Sequence, residues 1–212
     1  MDVTAPAEVL DDVRDVERLP DGTSVFKTGK GQLYYTTHLK TYQPVEEVKP
    51  LSHGATISRE YRLADCGKTD PKQTCPAVTQ AKVGDVIDVK LTVVVPNSLY
   101  YVVVEDPLPA GTEALDTSLK TTSKTVAGPQ VGEENEGYDP WADWRWQPTH
   151  VELRDEKAVL FQTALDPGTY EFSYQIRASL PGEYLTLPPT VTQMHFPEVW
   201  GRGAGSTFTV TE

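Results

Sequence analysis

"DVIDVKLTVVVP", residues 85 to 96, decides the fold class. Ile87, Val89, Leu91 and Val93 fall on one side of an extended chain, and Val86, Asp88, Lys90 and Thr92 on the other. The first set is wholly apolar and the second largely polar. Period-two alternation of this kind belongs to a strand with one face in a core and one face in water. A helix would scatter the same residues around its axis.

Working outward, similar runs recur. "QLYYTTHLKTY" alternates Leu33, Tyr35, Thr37 and Leu39 against Tyr34, Thr36, His38 and Lys40. "LYYVVVEDPLPAG" is β-branched and must turn after Asp106, where Pro and Gly accumulate. "THVELRDEKAVLFQTAL" reads as two strands with a turn at Arg154–Glu156. "GTYEFSYQIRASLPGEY" points Tyr170, Phe172, Tyr174 and Ile176 inward and breaks at Pro181-Gly182. "STFTVTE" places Phe208 and Val210 on one face. Short alternating strands with Pro/Gly turns predict an all-β fold, an immunoglobulin-like antiparallel β-sandwich with an N-terminal extension of strands. Two short helical pieces are expected, in "PAEVLDDVRDVERL" (Val9, Val13, Val16) and in "GTEALDTSL". "KPLSHGA", residues 49 to 55, reads as a linker.

Composition narrows the function. Nineteen Lys and Arg against 31 Asp and Glu give a formal charge of −12. An acidic surface repels phosphate backbones and anionic lipid, so neither nucleic acid nor membrane contact is expected. "MDVTAPAEVLDD" lacks the basic start and apolar stretch of a signal peptide, which leaves a cytosolic protein or a piece of a longer chain. Cys66 and Cys75, in "DCGKTDPKQTC", read either as a short-loop disulfide or as two free thiols. A disulfide there is worth about 2–3 kcal/mol and indicates an oxidising compartment.

Catalytic signals are sparse. His38, His53, His150 and His195 have no metal-pair spacing, and no HExxH, G-x-S-x-G or P-loop occurs. His38 and His150 are expected on solvated strand faces and His53 in a hydrogen-bonding loop. No metal, no cofactor and no enzymatic activity are expected. The long acidic stretch 123 to 149 carries Trp141, Trp144 and Trp146. Those indoles either plug the sandwich or form an aromatic binding patch. The patch would suit a standalone extracellular adhesion or carbohydrate-binding β-sandwich.

"TVTQMHFPEVWGR", residues 190 to 202, gathers Met194, His195, Phe196, Pro197, Val199 and Trp200 in an otherwise polar chain. It reads as a late strand entering an exposed corner, ended by Pro197 and Gly201. Phe196, Val199 and Trp200 are expected to anchor that corner.

Together with "LPDGTSVFKTGKGQLYYTTHLKTY", "VGDVIDVKLTVVVPNSLYYVVVEDPLPAGTEAL" and "YQIRASLPGEYLTLPPTVTQMHFPEVWGR", it resembles the C-terminal end of bacterial alpha-2-macroglobulins. The resemblance implies a large secreted or periplasmic protease trap, with or without a lipid anchor. In such a trap a cut bait region exposes an internal thioester. It implies that residues 53–212 form the final macroglobulin-like domain. Residues 1–52 would be the last strands of an incomplete CUB-like domain and a linker. The thioester motif Cys-Gly-Glu-Gln is absent, and Cys66 in "DCGKTD" does not match it. In bacterial members a Met-Tyr pair of the final domain covers the thioester. Met194 and His195 stand at those positions, with imidazole in place of phenol. The implied partners are the thioester domain of the same parent chain and, through the parent, target proteases.

Overall fold

The computed structural model describes residues 13–18, 24–28, 30, 42–66, 75–116, 128–133 and 148–212. The chain divides into two units, Met1–Tyr42 and Gln43–Glu212. In the first, β1 (Val13–Arg18) and β2 (Ser24–Thr28) pair antiparallel, with a register irregularity between Val13 and Asp15. The helix expected around Val13 and Val16 is therefore a strand. Arg14, Asp15, Glu17 and Arg18 tolerate a helix, but cross-strand pairing overrides so weak a local preference.

The second unit is a β-sandwich. Its strands are β3 (Leu51–His53), β4 (Thr56–Leu63), β5 (Gln80–Lys82), β6 (Val86–Val95), β7 (Leu99–Pro107), β8 (Thr112–Ala114), β9 (Gln130–Glu133), β10 (His150–Leu153), β11 (Lys157–Leu165), β12 (Gly168–Ala178), β13 (Gly182–Thr186), β14 (Thr190–Gln193), β15 (Trp200–Arg202) and β16 (Ser206–Thr211). One sheet runs β10-β11-β7-β14-β15-β3. The second runs β4-β6-β12-β8, with β9 sharing the same edge of β12. A small third sheet, β13-β16-β5, contains the parallel pair β16/β5. Other pairings are antiparallel.

The alternation read in the sequence is the core. Ile87, Val89, Leu91 and Val93 of β6 are fully buried. They meet Phe172, Tyr174 and Ile176 of β12, Val102 and Val104 of β7, Leu160 of β11 and Val191 of β14 in one continuous cluster. Each such aliphatic side chain contributes about 1.5–3 kcal/mol by leaving water. Phe208 and Val210 of β16 close the same core, and the Phe208 ring packs on Tyr61 at 4.9 Å.

Several local expectations change. "KPLSHGA" is not a linker: β3 pairs with β15, joining Leu51, Ser52 and His53 to Arg202, Gly201 and Trp200. Three residues carry no periodicity, so only this distant partner makes them a strand. Residues from 43 onward thus belong to the sandwich unit. Thr112–Ala114 is a strand on β12, not a helical turn. The Arg154–Glu156 turn stands as expected between β10 and β11. The alternation at 33–40, with His38, lies outside the described residues.

A charged node joins the sheets. Arg59 of β4 donates to Asp106 Oδ1 at 2.5 Å and to the Pro107 carbonyl at 3.1 Å, both on β7. It also donates to Ser206 Oγ of β16 at 3.2 Å. Tyr174 Oη of β12 donates to Asp106 Oδ2 at 2.7 Å. The Asp106 side chain is fully buried and that of Arg59 nearly so. Burial pushes the Asp106 carboxyl above its usual range, and Arg59 and Tyr174 pull it back. Arg59 also lies over the Tyr61 ring, 5.3 Å from its centroid. One guanidinium therefore ties together all three sheets.

Candidate functional site: an exposed apolar corner

β7 and β14 run side by side, pairing Val102 with Gln193 and Val103 with Thr192. Beyond the last pair, the Met194 amide donates to the Tyr101 carbonyl at 2.9 Å. The chain then folds into a tight corner before β15. Phe196 N–H donates to the Gln193 carbonyl at 3.2 Å and Val199 N–H to the Phe196 carbonyl at 2.9 Å. Gln193 N–H closes the corner on the Val199 carbonyl at 3.0 Å. These backbone bonds close the turn without using the side chains at its tip.

The corner is anchored on one flank. Val199 packs over Gly54, where an added Cβ would lie 3.1 Å from Val199 Cγ1. Gly54 has φ +94°, a turn conformation that suits glycine. Trp200 is half-buried and stacks on His53, with ring centroids 4.8 Å apart and planes 20° from parallel. His53 is therefore a strand residue under an indole, not the loop residue expected. Gly201 lies inside β15 and does not end the strand; it lets β15 approach the Ala55 backbone closely.

The other flank is open. Met194 is 53% exposed and Phe196 54%, and His195, Pro197 and Glu198 are exposed as well. Against the expectation from sequence, Phe196 therefore does not anchor the corner; Val199 and Trp200 do. The His195 ring meets the Tyr101 ring edge-on at 5.1 Å. Tyr101 is itself 53% exposed and Tyr100 56%.

That Tyr pair arises from a phase break. In β7, Val102, Val104 and Asp106 point inward, which would place Tyr100 inward too. Instead Leu99 is buried and both tyrosines face out. Tyr101 has φ +55°, the one non-glycine residue with positive φ among the described residues. β11 changes phase at the same level, with Leu160 and Leu165 buried and Thr163 and Ala164 exposed. Sequence reasoning missed the tyrosines, because "LYYVVVED" reads as an unbroken strand.

The chemistry on offer is contact chemistry. Glu198 is the only acidic or basic side chain other than His195 between Gln193 and Trp200. Among the described residues no cluster of His, Cys, Asp and Glu could hold a metal ion. No described helix is long and apolar enough to cross a membrane. Cys66 and Cys75 form a disulfide with Cα atoms 5.7 Å apart, remote in sequence from the corner. Trp141, Trp144 and Trp146 lie outside the described residues.

Comparison with known proteins places this architecture. An alpha-2-macroglobulin homolog of Nostoc sp. is 27% identical over 207 residues, 93% of this chain and 10% of that protein. Circularly permutated Ras protein 2 of Dictyostelium discoideum is 28% identical over 177 residues, 83% of this chain and 4% of that protein. The chain therefore spans a tenth or less of the length of these curated relatives. Salmonella alpha-2-macroglobulin reacted with methylamine superposes with a TM-score of 0.59 at 23% identity, over 80% of this chain and 10% of that one. Native Escherichia coli alpha-2-macroglobulin, from domain MG7 to the C-terminus, gives 0.59 at 24% identity, over 80% and 25%. At such identities the solved structures establish a shared fold. The model of the bacterial alpha-2-macroglobulin MG10 domain matches residues 54–198, well over half the chain, and to that family the chain belongs.

Proposed function

We propose that this chain is the C-terminal module of a protease trap of the alpha-2-macroglobulin type. It is non-enzymatic, and it docks on the thioester domain of the same parent protein in the resting state. Residues 1–42 would complete the preceding CUB-like domain, and the parent would work in an extracellular or periplasmic space. The Cys66–Cys75 disulfide fits such an oxidising compartment. Target proteases would meet the module only through the parent.

The exposed corner is the observation that supports this reading. Met194 and His195 sit together at its tip, solvent-exposed in this chain. A thioether is soft and unbranched, so it fills the irregular space around a reactive group and keeps water out. His195 supplies a planar ring braced by Tyr101. Imidazole is smaller than phenol and can hydrogen-bond, so it covers less area but can meet a polar rim.

The test uses the complete parent protein with Met194→Ala and His195→Ala. Burying a methionine is worth about 1.5–3 kcal/mol. Removing it should open the shield about ten-fold more often or beyond. The readout is the rate of thiol release with methylamine. An unchanged rate in both variants would refute the shielding role, and a parent that releases no thiol would remove it.

A further inference from the structure

We infer that the docking surface extends from the corner onto β7, and that Tyr101 is a partner-contacting residue held in place for that purpose. The inference rests on the docking reading above and names what else the partner covers.

The backbone carries the argument. A tyrosine at φ +55° inside a strand, two residues from its start, is held against its own preference. The inversion seats Leu99 in the core opposite Leu165, yet it leaves both tyrosines more than half exposed, where they add nothing to that core. Residues held in sparsely populated backbone regions cluster where a ligand or another surface is recognised. The φ inversion also turns Tyr100 outward, where the strand alternation would have buried it. Tyr101 is then braced twice by the corner: its carbonyl accepts from the Met194 amide and its ring meets His195. Tyr101, His195, Met194 and Phe196 thus lie on adjoining, exposed segments.

The occupant follows from the chemistry. With Glu198 the only acidic or basic side chain besides His195 at the tip, the patch suits an apolar face and not a charged one. We commit to the thioester-bearing portion of the parent. Relatives extend about ten-fold beyond the length of this chain, so a covering domain has ample sequence to come from.

Single cysteines report the coverage. Tyr101→Cys, Phe196→Cys and Met194→Cys are each made in this 212-residue chain and in the complete resting parent. Maleimide labelling is then followed by peptide mass, so any other thiol is resolved. Tyr101→Cys and Phe196→Cys should label at least about ten-fold more slowly in the parent than in the chain. If Met194→Cys slows and these two do not, the extension onto β7 is wrong while the docking reading stands. If none slows, both fall. Tyr101→Asn, which keeps the left-handed backbone, provides a second arm: it should loosen the parent's protection of Met194→Cys. Unaltered protection would overturn the role of the ring.

Discussion

Replacing Asp106 with Asn tests whether the charged node holds the sandwich together. Asp106 is fully buried and serves two donors, Arg59 at 2.5 Å and Tyr174 at 2.7 Å. Asn keeps the shape and one acceptor oxygen but removes the charge. The Arg59 guanidinium then stays buried without its counter-ion. Breaking a buried pair from one side costs about 3–5 kcal/mol. The Pro107 carbonyl and Ser206 hydroxyl still accept from Arg59, which favours the lower end, about 3 kcal/mol. Tyr174→Phe removes one hydrogen bond to a charged group, worth about 1.5–3 kcal/mol. Because both act through one carboxylate, the double variant should cost about 1–2 kcal/mol less than the sum. Arg59→Met with Asp106→Leu, which removes both charges, should recover most of the loss. Urea unfolding followed by circular dichroism measures each. At constant slope a loss of about 3 kcal/mol moves the midpoint by about 1–2 M. A cost below about 1 kcal/mol for Asp106→Asn, or strict additivity, would refute the node as a cooperative unit.

Three further outcomes are expected. Burial holds the Tyr61 and Tyr174 hydroxyls well above their usual pKa, so both stay protonated in the fold while the unfolded chain ionises near pH 10. The unfolded state then binds fewer protons, and stability should fall above about pH 10 by about 2.7 kcal/mol per pH unit for the pair; tyrosinate absorbance from these two should appear only with unfolding. Gly201→Ala would set a methyl group on the Ala55 carbonyl, between β3 and β4, and against Val191 of β14, and should cost about 1–3 kcal/mol of stability in urea; a neutral effect would mean that β15 can shift. Tyr101→Asn should leave the isolated chain as stable as before or more so by up to about 1 kcal/mol, because Asn accepts the left-handed region; a loss beyond about 1 kcal/mol in urea would mean the ring supports its own fold.

Much of this was legible, and the reason is local. Period-two alternation in β6, β12 and β16 needs only neighbouring residues to be seen, and those strands carry the core. The two charges of the node were legible too, in principle. Arg59 falls in phase with Ile57 and Tyr61, and Asp106 in phase with Val102 and Val104. Opposite charges on the inward phase of two strands predict a buried pair, since neither could be buried alone. What escaped the sequence was non-local. β3 exists through β15, and Val13–Arg18 is a strand through β2. The resemblance located the corner at Met194 and His195 but not its extent. Phe196 looked like an anchor because apolar residues usually are, yet the tight corner leaves it outside.

The separation of these two features bears on how such a module could work. The node binds the three sheets through one guanidinium, deep in the interior and hydrogen-bonded to acceptors on β7 and β16. The corner makes its hydrogen bonds within its own turn and to Tyr101, and leans on the sandwich through Val199 and Trp200. A partner could therefore dock on Met194, His195 and Tyr101, or leave them, without repacking the core. Rigid-body departure is the natural consequence, because packed interiors resist continuous deformation while a surface patch can be covered or uncovered whole. Substitutions at the tip should then alter docking with little change in urea midpoint, and substitutions at the node should do the reverse. A tip variant that lowered both together would show that the corner is wired into the core, and that docking is read by the fold as well as by its surface.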